Sequence, residues 1–592
     1  MPWKTFQRAT QLNDPIFREY GRRMGFFSFL SSRAGRDIPA REPELYIEKP
    51  DGSQERAAVE DLFRYTRHRW IFNEEKEIAR RYRQFDLQKL IDVAIDVAGD
   101  GAQSCTKVLK CVEGLHNKAL LLTLDNGEEV FAKLPNPNAG PARYLTASEV
   151  ATREFLREVV NVPIPRVFAW SCDPANPVGA EYIIEEKAAG TRLGSLWHNW
   201  PRKSKLRVIE QVCKIEHGLT TTRFTKHGCL YFKQDLPTSL KEQNGPLLVE
   251  PLPSVQSTDL DRYVIGPLVS AELWSSGRED MDLDRGPWRR PEDYARAIGN
   301  NEMAWIQKRA SPRFNYYASL KESEFPDQSL ALLSKYLQVS PYLVPYGDDP
   351  EAVANVLWHP DLHLDNVFVD PTTCQITSII DWQSASIAPL FYQSCVPRMF
   401  RHDGPVREGW AVPERPDDFD SLSEEEQKQM DQNLESERMH KFYEVMVYKH
   451  VPGHWEVLER HRAFQLKRNP TWLVTGVWEN RDVFFLRQSL IAIVALWDTI
   501  PHPDGSTMEC PITFSRAELD MHAKEDENMT GIGNMLKLFR DKGVLPVDGM
   551  VDPEDYEAAK ANSVKYKEIF VGLAKDEEER ELFDKLWPYQ DQ

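Results

Sequence analysis

The sequence predicts an α+β protein of two unequal lobes: a β-rich N-terminal lobe with one main helix, and a larger, mainly helical C-terminal lobe containing a β-hairpin. Three observations predict it. A strand–turn–strand pattern over residues 119–134 is followed by a helical run and a further strand. From Thr191 onward the apolar spacing is mainly helical. Inside that helical half one isolated hairpin pattern stands at 367–380, with acidic and amide side chains at its ends. At 592 residues the chain has the length for a large core and for additions around one two-lobed domain.

Taken in order, the first forty or so residues are basic. Eight Lys and Arg between Lys4 and Arg41 face only Asp14, Glu19 and Asp37, with Ser and Phe between them. An Arg-rich, acid-poor start of this kind reads as a mitochondrial transit peptide, the other reading being a basic docking arm. The expected address is the mitochondrion, or without such a leader the cytoplasm. Phe63–Ile78 is aromatic and basic, and residues 86–98 carry a helical apolar period (Leu87, Leu90, Ile91, Val93, Ala94). Ala119–Leu124 and Val130–Leu134 are apolar runs joined by Asp125-Asn126-Gly127, a hairpin turn signal. A helix is expected over 146–160, stopped by Val162-Pro163-Ile164-Pro165, and a strand over 181–185. The second hairpin runs Val367-Phe368-Val369, turns at Asp370-Pro371-Thr372-Thr373 and returns over Ile376–Ile380. Residues 424–447 and 577–586 read as charged surface helices. The expected parts are a basic extension (1–60), a nucleotide-type N-lobe (61–187) and a helical C-lobe with a C-terminal helical extension (188–592).

Composition narrows the partners. A formal charge of −19 argues against nucleic acid, whose phosphates call for clustered Lys and Arg. No apolar run reaches the length of a membrane span. The eight Cys are scattered without a C-x-x-C pair, as in a chain of reduced thiols. No pattern sets an oligomeric state.

The chemistry gathers at the second hairpin. His359-Pro360-Asp361-Leu362-His363-Leu364-Asp365-Asn366 precedes it and Ile379-Ile380-Asp381-Trp382 follows. A hairpin returns its chain to the end where it began, so Asp361, Asn366 and Asp381 converge at one open end. Asn366 and Asp381 are hard oxygen ligands suited to Mg²⁺, which keeps waters and substrate phosphates as its other ligands. Asp361, five residues before the Asn, is free to accept the proton of an attacking hydroxyl. This is the order of parts in the protein-kinase template, where positioning and charge neutralisation carry phosphoryl transfer. The two-lobed fold is therefore expected to be protein-kinase-like and to use ATP. His359 reads as a brace for the loop, His363 as a brace or a substrate contact, Asp365 as solvated and Trp382 as packing.

H-P-D-L-H-L-D-N-V-F-V-D followed by I-I-D-W resembles the signature of the aminoglycoside phosphotransferase and choline kinase-like superfamily. The layout of the chain is similar to a fungal branch of it, the one with altered inheritance of mitochondria protein nine, at Phe63-Arg64-Tyr65-Thr66, Ser148-Glu149-Val150-Ala151-Thr152 and Trp587-Pro588. The resemblance spans roughly residues 60–400 and implies a phosphotransferase acting on a small-molecule hydroxyl. It also implies the nucleotide half. No Walker A or G-x-G-x-x-G sequence is present, but Glu113-Gly114-Leu115-His116 stands where the family has a reduced phosphate loop. Lys133, on the return strand, matches the kinase lysine that contacts phosphates and pairs with a helix Glu. Glu149 fits that Glu by its distance from Pro163-Ile164-Pro165. Thr146-x-x-Glu149 is equally a capping box, and Glu154 is the other candidate partner. Glu185-Glu186-Lys187 is expected to form the hinge against which adenine lies.

Two other classes compete. A metallohydrolase would use the alternation of His359, Asp361, His363 and Asp365, but leaves Asn366, Asp381 and Lys133 without a part. A kinase-like scaffold would bind nucleotide without turnover. The acceptor is not legible: residues 191–353 and 401–487 carry no decodable pattern, and their acidity suits an amino sugar or a quaternary amine only weakly.

Overall fold

The computed structural model of the protein describes residues 42–99, 101–238, 245–251, 257–345, 349–500 and 508–591. The expected basic leader, residues 1–41, lies outside the described residues. Seven strands make the N-terminal sheet: β1 (Glu44–Glu48), β2 (Gln54–Arg56), β3 (Cys105–Lys110), β4 (Asn117–Leu124), β5 (Glu129–Pro135), β6 (Val167–Ser171) and β7 (Tyr182–Glu186). Their order is β2-β1-β3-β4-β5-β7-β6, with β1 parallel to β3 and every other neighbour antiparallel. The sheet begins at Glu44, inside the stretch expected to be a basic extension to residue 60.

Strand β4 shows why this region pleats. Burial alternates along it, with Leu120, Leu122 and Leu124 turned into the core. Gly127 takes the left-handed conformation that closes the β4–β5 turn. Asp125 fastens the turn to β3 by accepting hydrogen bonds from the Gln103 and Ser104 amides at 3.0 and 3.1 Å. Helix α1 (Leu87–Ala98) starts where Asp86 caps the Lys89 amide and ends at Gly99, and it buries Leu90, Ile91 and Ala94 on the sheet. Full burial of a Leu or Ile side chain is worth about 1.5–3 kcal/mol.

Helix α2 (Tyr144–Phe155) continues through a π-helical turn, Leu156–Val160, and stops at Asn161, which has φ +62°, before Pro163. The helix begins two residues earlier than expected, so Thr146 lies inside it and not at its cap. Ten of its twelve residues are buried, because it lies between the sheet and the C-terminal lobe. That far side is a ribbon, Cys229–Phe232 paired with Tyr263–Gly266, so the hairpin at 367–380 is not the lone β element of the helical half.

The C-terminal lobe holds helices α3 (Arg202–Thr221), α4 (Pro291–Arg309), α5 (Pro326–Val339), α6 (Glu424–His450), α7 (His461–Val474) and α8 (Val483–Ala495). Expected to lie on the surface, α6 buries Leu434 and, in its second half, Met439, Tyr443 and Val447. The catalytic-type hairpin is β10 (Val367–Val369) with β11 (Ile376–Ile379), and β8 (Thr191–Arg192) adds a third strand to it. Strands β9 (Asn355–Leu357) and β12 (Ile387–Pro389) pair on either side of it in sequence. Gly190, on the crossing between lobes, has φ +96°, and a Cβ there would stand 2.5 Å from Thr377 Oγ1 and 2.7 Å from the Val369 carbonyl. Glycine is required at that step.

Helices α9 (Arg516–Asp541), α10 (Tyr556–Gly572) and α11 (Glu577–Leu586) form the C-terminal extension. It folds back onto the aromatic N-terminal segment: Met550–Val551 pairs with Arg69–Trp70, and Trp587 and Phe539 share a core with Ile71.

Candidate active site

The second hairpin is closed by Asp370, whose Oδ1 accepts from the amides of Thr372 and Thr373 at 2.8 and 2.9 Å. Its open end is tied by backbone groups. The Ile380 amide donates to the Asn366 carbonyl at 2.9 Å, and the Asn366 side-chain nitrogen donates to the Asp361 carbonyl at 3.0 Å. The His359 ring completes the knot: Nδ1 accepts from the Asp361 amide at 3.1 Å and Nε2 donates to the Ile380 carbonyl at 2.9 Å. Burial holds this imidazole below its ordinary pKa, which suits the neutral ring those partners require. Asp361, Asn366 and Asp381 are thus brought to one end of the ribbon. Trp382 packs edge-on against His359 and is buried.

Asp381 has φ +63°, a conformation unfavourable by about 1–3 kcal/mol for a residue with a Cβ. Both polar groups of the Ile380 backbone are pinned, and the strain turns the Asp381 carboxylate toward the N-terminal sheet. There its Oδ1 receives the Lys133 ammonium at 3.0 Å. The same ammonium donates to both oxygens of Glu149, at 2.9 and 3.0 Å. Burial alone would lower the Lys133 pKa, but Glu149 and Asp381 outweigh it and raise it. Desolvation likewise pushes Asp381 up, and Lys133 more than offsets it, holding the carboxyl below the usual range.

The choice of helix carboxylate is settled by the packing. Glu154 faces away and pairs with Arg262 at 2.6 Å. Thr146 donates its hydroxyl to Glu181 at 2.7 Å, so the capping-box alternative for Glu149 falls. Behind the Lys133–Glu149 pair lies an ion pair that sequence reasoning missed, Arg153 with Glu185; Arg153 is also 3.7 Å from Glu149. Its spacing, one helical turn after Glu149, was the available signal.

The Gly114 loop is braced from beneath. Glu113 accepts from Lys118 at 2.5 Å and from the Thr66 amide at 2.8 Å, and its carboxylate lies 2.9 Å from Lys110. All three charged side chains are buried, and none was foreseen. A Cβ on Gly114 would meet nothing within 4 Å, so the fold itself does not demand glycine there. Asn117, at the foot of the loop, donates to Gln383 at 2.6 Å across to the segment after Asp381. Glu186 is apart from this set. It ends β7 opposite Val130, three residues along from the Lys133–Ile183 register, and its exposed carboxylate accepts from the Arg166 amide at 3.1 Å.

Asp361 has an open carboxylate. His363 Nε2 stands 3.8 Å from it and Arg398 Nη1 3.5 Å. His363 also accepts from the Asp365 amide at 3.3 Å, so it braces the loop as well. Asp365 is exposed, as expected, with one oxygen against Gly194. The metallohydrolase arrangement is not formed: both His359 nitrogens are used by backbone, and among the described residues no three His, Cys, Asp or Glu side chains are placed to hold a metal.

A model of the phosphotransferase enzyme family (APH) matches residues 293–393, which include all three residues at the hairpin mouth. A subtelomeric hrmA-associated cluster protein of Aspergillus fumigatus is 32% identical over 526 residues, covering 82% of this chain and 97% of that protein. Altered inheritance of mitochondria protein 9, mitochondrial, of Yarrowia lipolytica is 23% identical, covering 82% and 85%. The latter name agrees with the mitochondrial address expected from the Arg-rich start. Among solved structures, an aminoglycoside phosphotransferase APH(4)-Ia in complex with ADP and hygromycin B is 14% identical and covers 69% of this chain and 96% of that one. Its TM-score is 0.31. The chain belongs to the family of this Aspergillus protein and carries, over residues 293–393, a phosphotransferase enzyme family (APH) domain.

Proposed function

We propose that this chain transfers the γ-phosphoryl group of ATP to a hydroxyl of a small molecule, with Mg²⁺ as its metal and the mitochondrion as its place of work. The observation that carries the reading is the single Lys133 ammonium shared by Glu149 and Asp381, which joins the N-terminal sheet to the hairpin end bearing Asp361 and Asn366. In the transfer the acceptor O–H proton passes to Asp361. The acceptor oxygen forms a bond to the γ-phosphorus as the phosphorus–oxygen bond to ADP breaks.

The donor set fits Mg²⁺. The Asn366 nitrogen is committed to the Asp361 carbonyl, which leaves Oδ1 as a hard ligand, and the Asp381 carboxylate is partly open. Bound between them, Mg²⁺ would neutralise charge on the phosphate oxygens. Lys133 steadies the α- and β-phosphates. Gly114 lets backbone amides approach them, a use of glycine that the protein's own packing does not explain. Adenine lies against the backbone of the 185–187 hinge, with Glu186 at its rim. The nucleotide lobe accordingly runs from the first strand to the hinge, and the acceptor is held by the helical lobe.

The test is ATP consumption by the purified chain with Mg²⁺ across amino sugars, choline-like amines, ketosamines and hydroxy acids, with Asp381→Ala as blank. Turnover above that blank for at least one acceptor is expected. Nucleotide binding with no turnover on any of them would favour the silent scaffold.

A further inference from the structure

A cavity of about 190 Å³ opens beside Asp361 in the helical lobe. Val212, Ile215 and Leu219, at i, i+3 and i+7, give it one apolar stripe of α3, and Leu362 and Val396 continue the apolar wall. Its charged lining is unusual for a chain of net charge −19: two guanidiniums, Arg398 and Arg401, stand with Asp361. Arg398 reaches Asp361 at 3.5 Å with both side chains more than half exposed, and Arg401 has no carboxylate partner among the described residues. The remaining acid, Glu216, is buried, and the Tyr443 hydroxyl lies within 3.0 Å of both its oxygens. Burial pushes its carboxyl up to about 8, so at neutral pH it is largely uncharged and attracts no cation.

We propose that the acceptor is a hydroxy acid: an alcohol with a short apolar body and a carboxylate, the hydroxyl lying at Asp361, the body along the α3 stripe and the carboxylate on Arg398 and Arg401. Guanidinium forks hold a carboxylate by paired charge-assisted hydrogen bonds. A polycationic amino sugar would meet two like charges at the same place, with only Asp361 to offset them. The inference rests on the phosphotransfer reading for the role of Asp361, but the recognition it describes is a binding property that stands without turnover.

The experiment is calorimetric titration of the full chain, without ATP, with three ligands of one length that carry their groups on the terminal carbons: hydroxyhexanoate, hexanediol and aminohexanol. Hydroxyhexanoate is expected to bind roughly tenfold or more tighter than hexanediol, the scale of one charge-assisted hydrogen bond, and aminohexanol weakest. Arg398→Ala with Arg401→Ala should bring hydroxyhexanoate and hexanediol to within about twofold, and the paired Lys variants should restore part of the preference. Both arginines are surface groups, so these chains should unfold at the wild-type denaturant concentration. Equal affinity for all three ligands, preference for aminohexanol, no binding of hydroxyhexanoate, or a preference that survives the double Ala change overturns the inference. Arg-dependent binding of hydroxyhexanoate, with no ADP formed above the Asp381→Ala blank on any acceptor once ATP and Mg²⁺ are supplied in a separate assay, sinks the phosphotransfer reading and leaves this one. ADP formed on aminohexanol alone does the reverse.

Discussion

The two sides of the hairpin mouth handle charge in opposite ways. Toward the nucleotide sheet, the Lys133 and Glu149 side chains are 9% and 2% exposed, backed by the buried Arg153–Glu185 pair. Toward the helical lobe, the Asp361 and Arg398 side chains are 52% and 61% exposed and only loosely paired. Charges that must stay in one geometry are buried and reciprocally satisfied, because an uncompensated charge in low dielectric is prohibitive. Charges that exchange a proton or a ligand face water, where changing partner costs little. The expected consequence is that the first group governs stability and the second governs rate.

The sharpest break of this contrast is Asp361→Asn. Activity should fall by about 10²–10⁴-fold, the usual worth of a positioned base, while the unfolding midpoint in urea stays near wild type. Loss of both together would place Asp361 with the buried group. Next, Lys133→Met should destabilise the chain by about 3 kcal/mol, because buried Glu149 loses both its hydrogen bonds from Lys133 and keeps only Arg153, at 3.7 Å, to balance its charge. A cost under about 1 kcal/mol by urea unfolding would mean that the pair contributes little to the fold. Gly190→Ala should cost about 1–3 kcal/mol, since the new Cβ has neither the conformation nor the space beside Thr377 and Val369.

The smallest effect concerns pH. Glu216 has a folded value of about 8 against an ordinary 4.5, so the folded state holds a proton that the unfolded chain has released between those values. Its contribution is complete below 4.5 and is lost as pH rises through 8. Buried His227 and His454, lowered by burial from 6.5 to about 3, contribute above 6.5 and lose stability only on acidification below it. Between pH 6.5 and about 7.5 the slope therefore reads mainly Glu216, at about 1 kcal/mol per pH unit; nearer 8 the buried Lys118, lowered to about 8, releases its proton in the fold and opposes it. Glu216→Gln should flatten it; an unchanged slope would mean that the carboxyl is ionised in the fold.

Much of the site was legible because it is local. The Asp125-Asn126-Gly127 and Asp370-Pro371 turns announce their hairpins through side chains that bond their own backbone, and α1 announces itself through its apolar period and Asp86 cap. What was not legible had its signal in distant partners. Lys110 and Lys118 look like solvent-facing strand residues until Glu113 and the Asp61 and Arg64 carbonyls close over them. The Cys229–Phe232 ribbon is a short apolar run that a helix could equally use. The second half of α6 hides its apolar face under a charged composition. Return of the C-terminal extension onto Arg69–Trp70 joins segments nearly five hundred residues apart, which no local pattern encodes.

By itself the sequence determined the meeting of Asp361, Asn366 and Asp381, because a hairpin of fixed length returns its chain to its own start whatever surrounds it. Tertiary structure alone decided that Lys133 pairs with Glu149 and not Glu154, that burial pushes the Glu216 carboxyl up, and that Arg398 and Arg401 flank the cavity beside Asp361. Each of those depends on which groups from remote segments share a region of low dielectric, and the energy of a charge is set by that company and not by its neighbours in the chain.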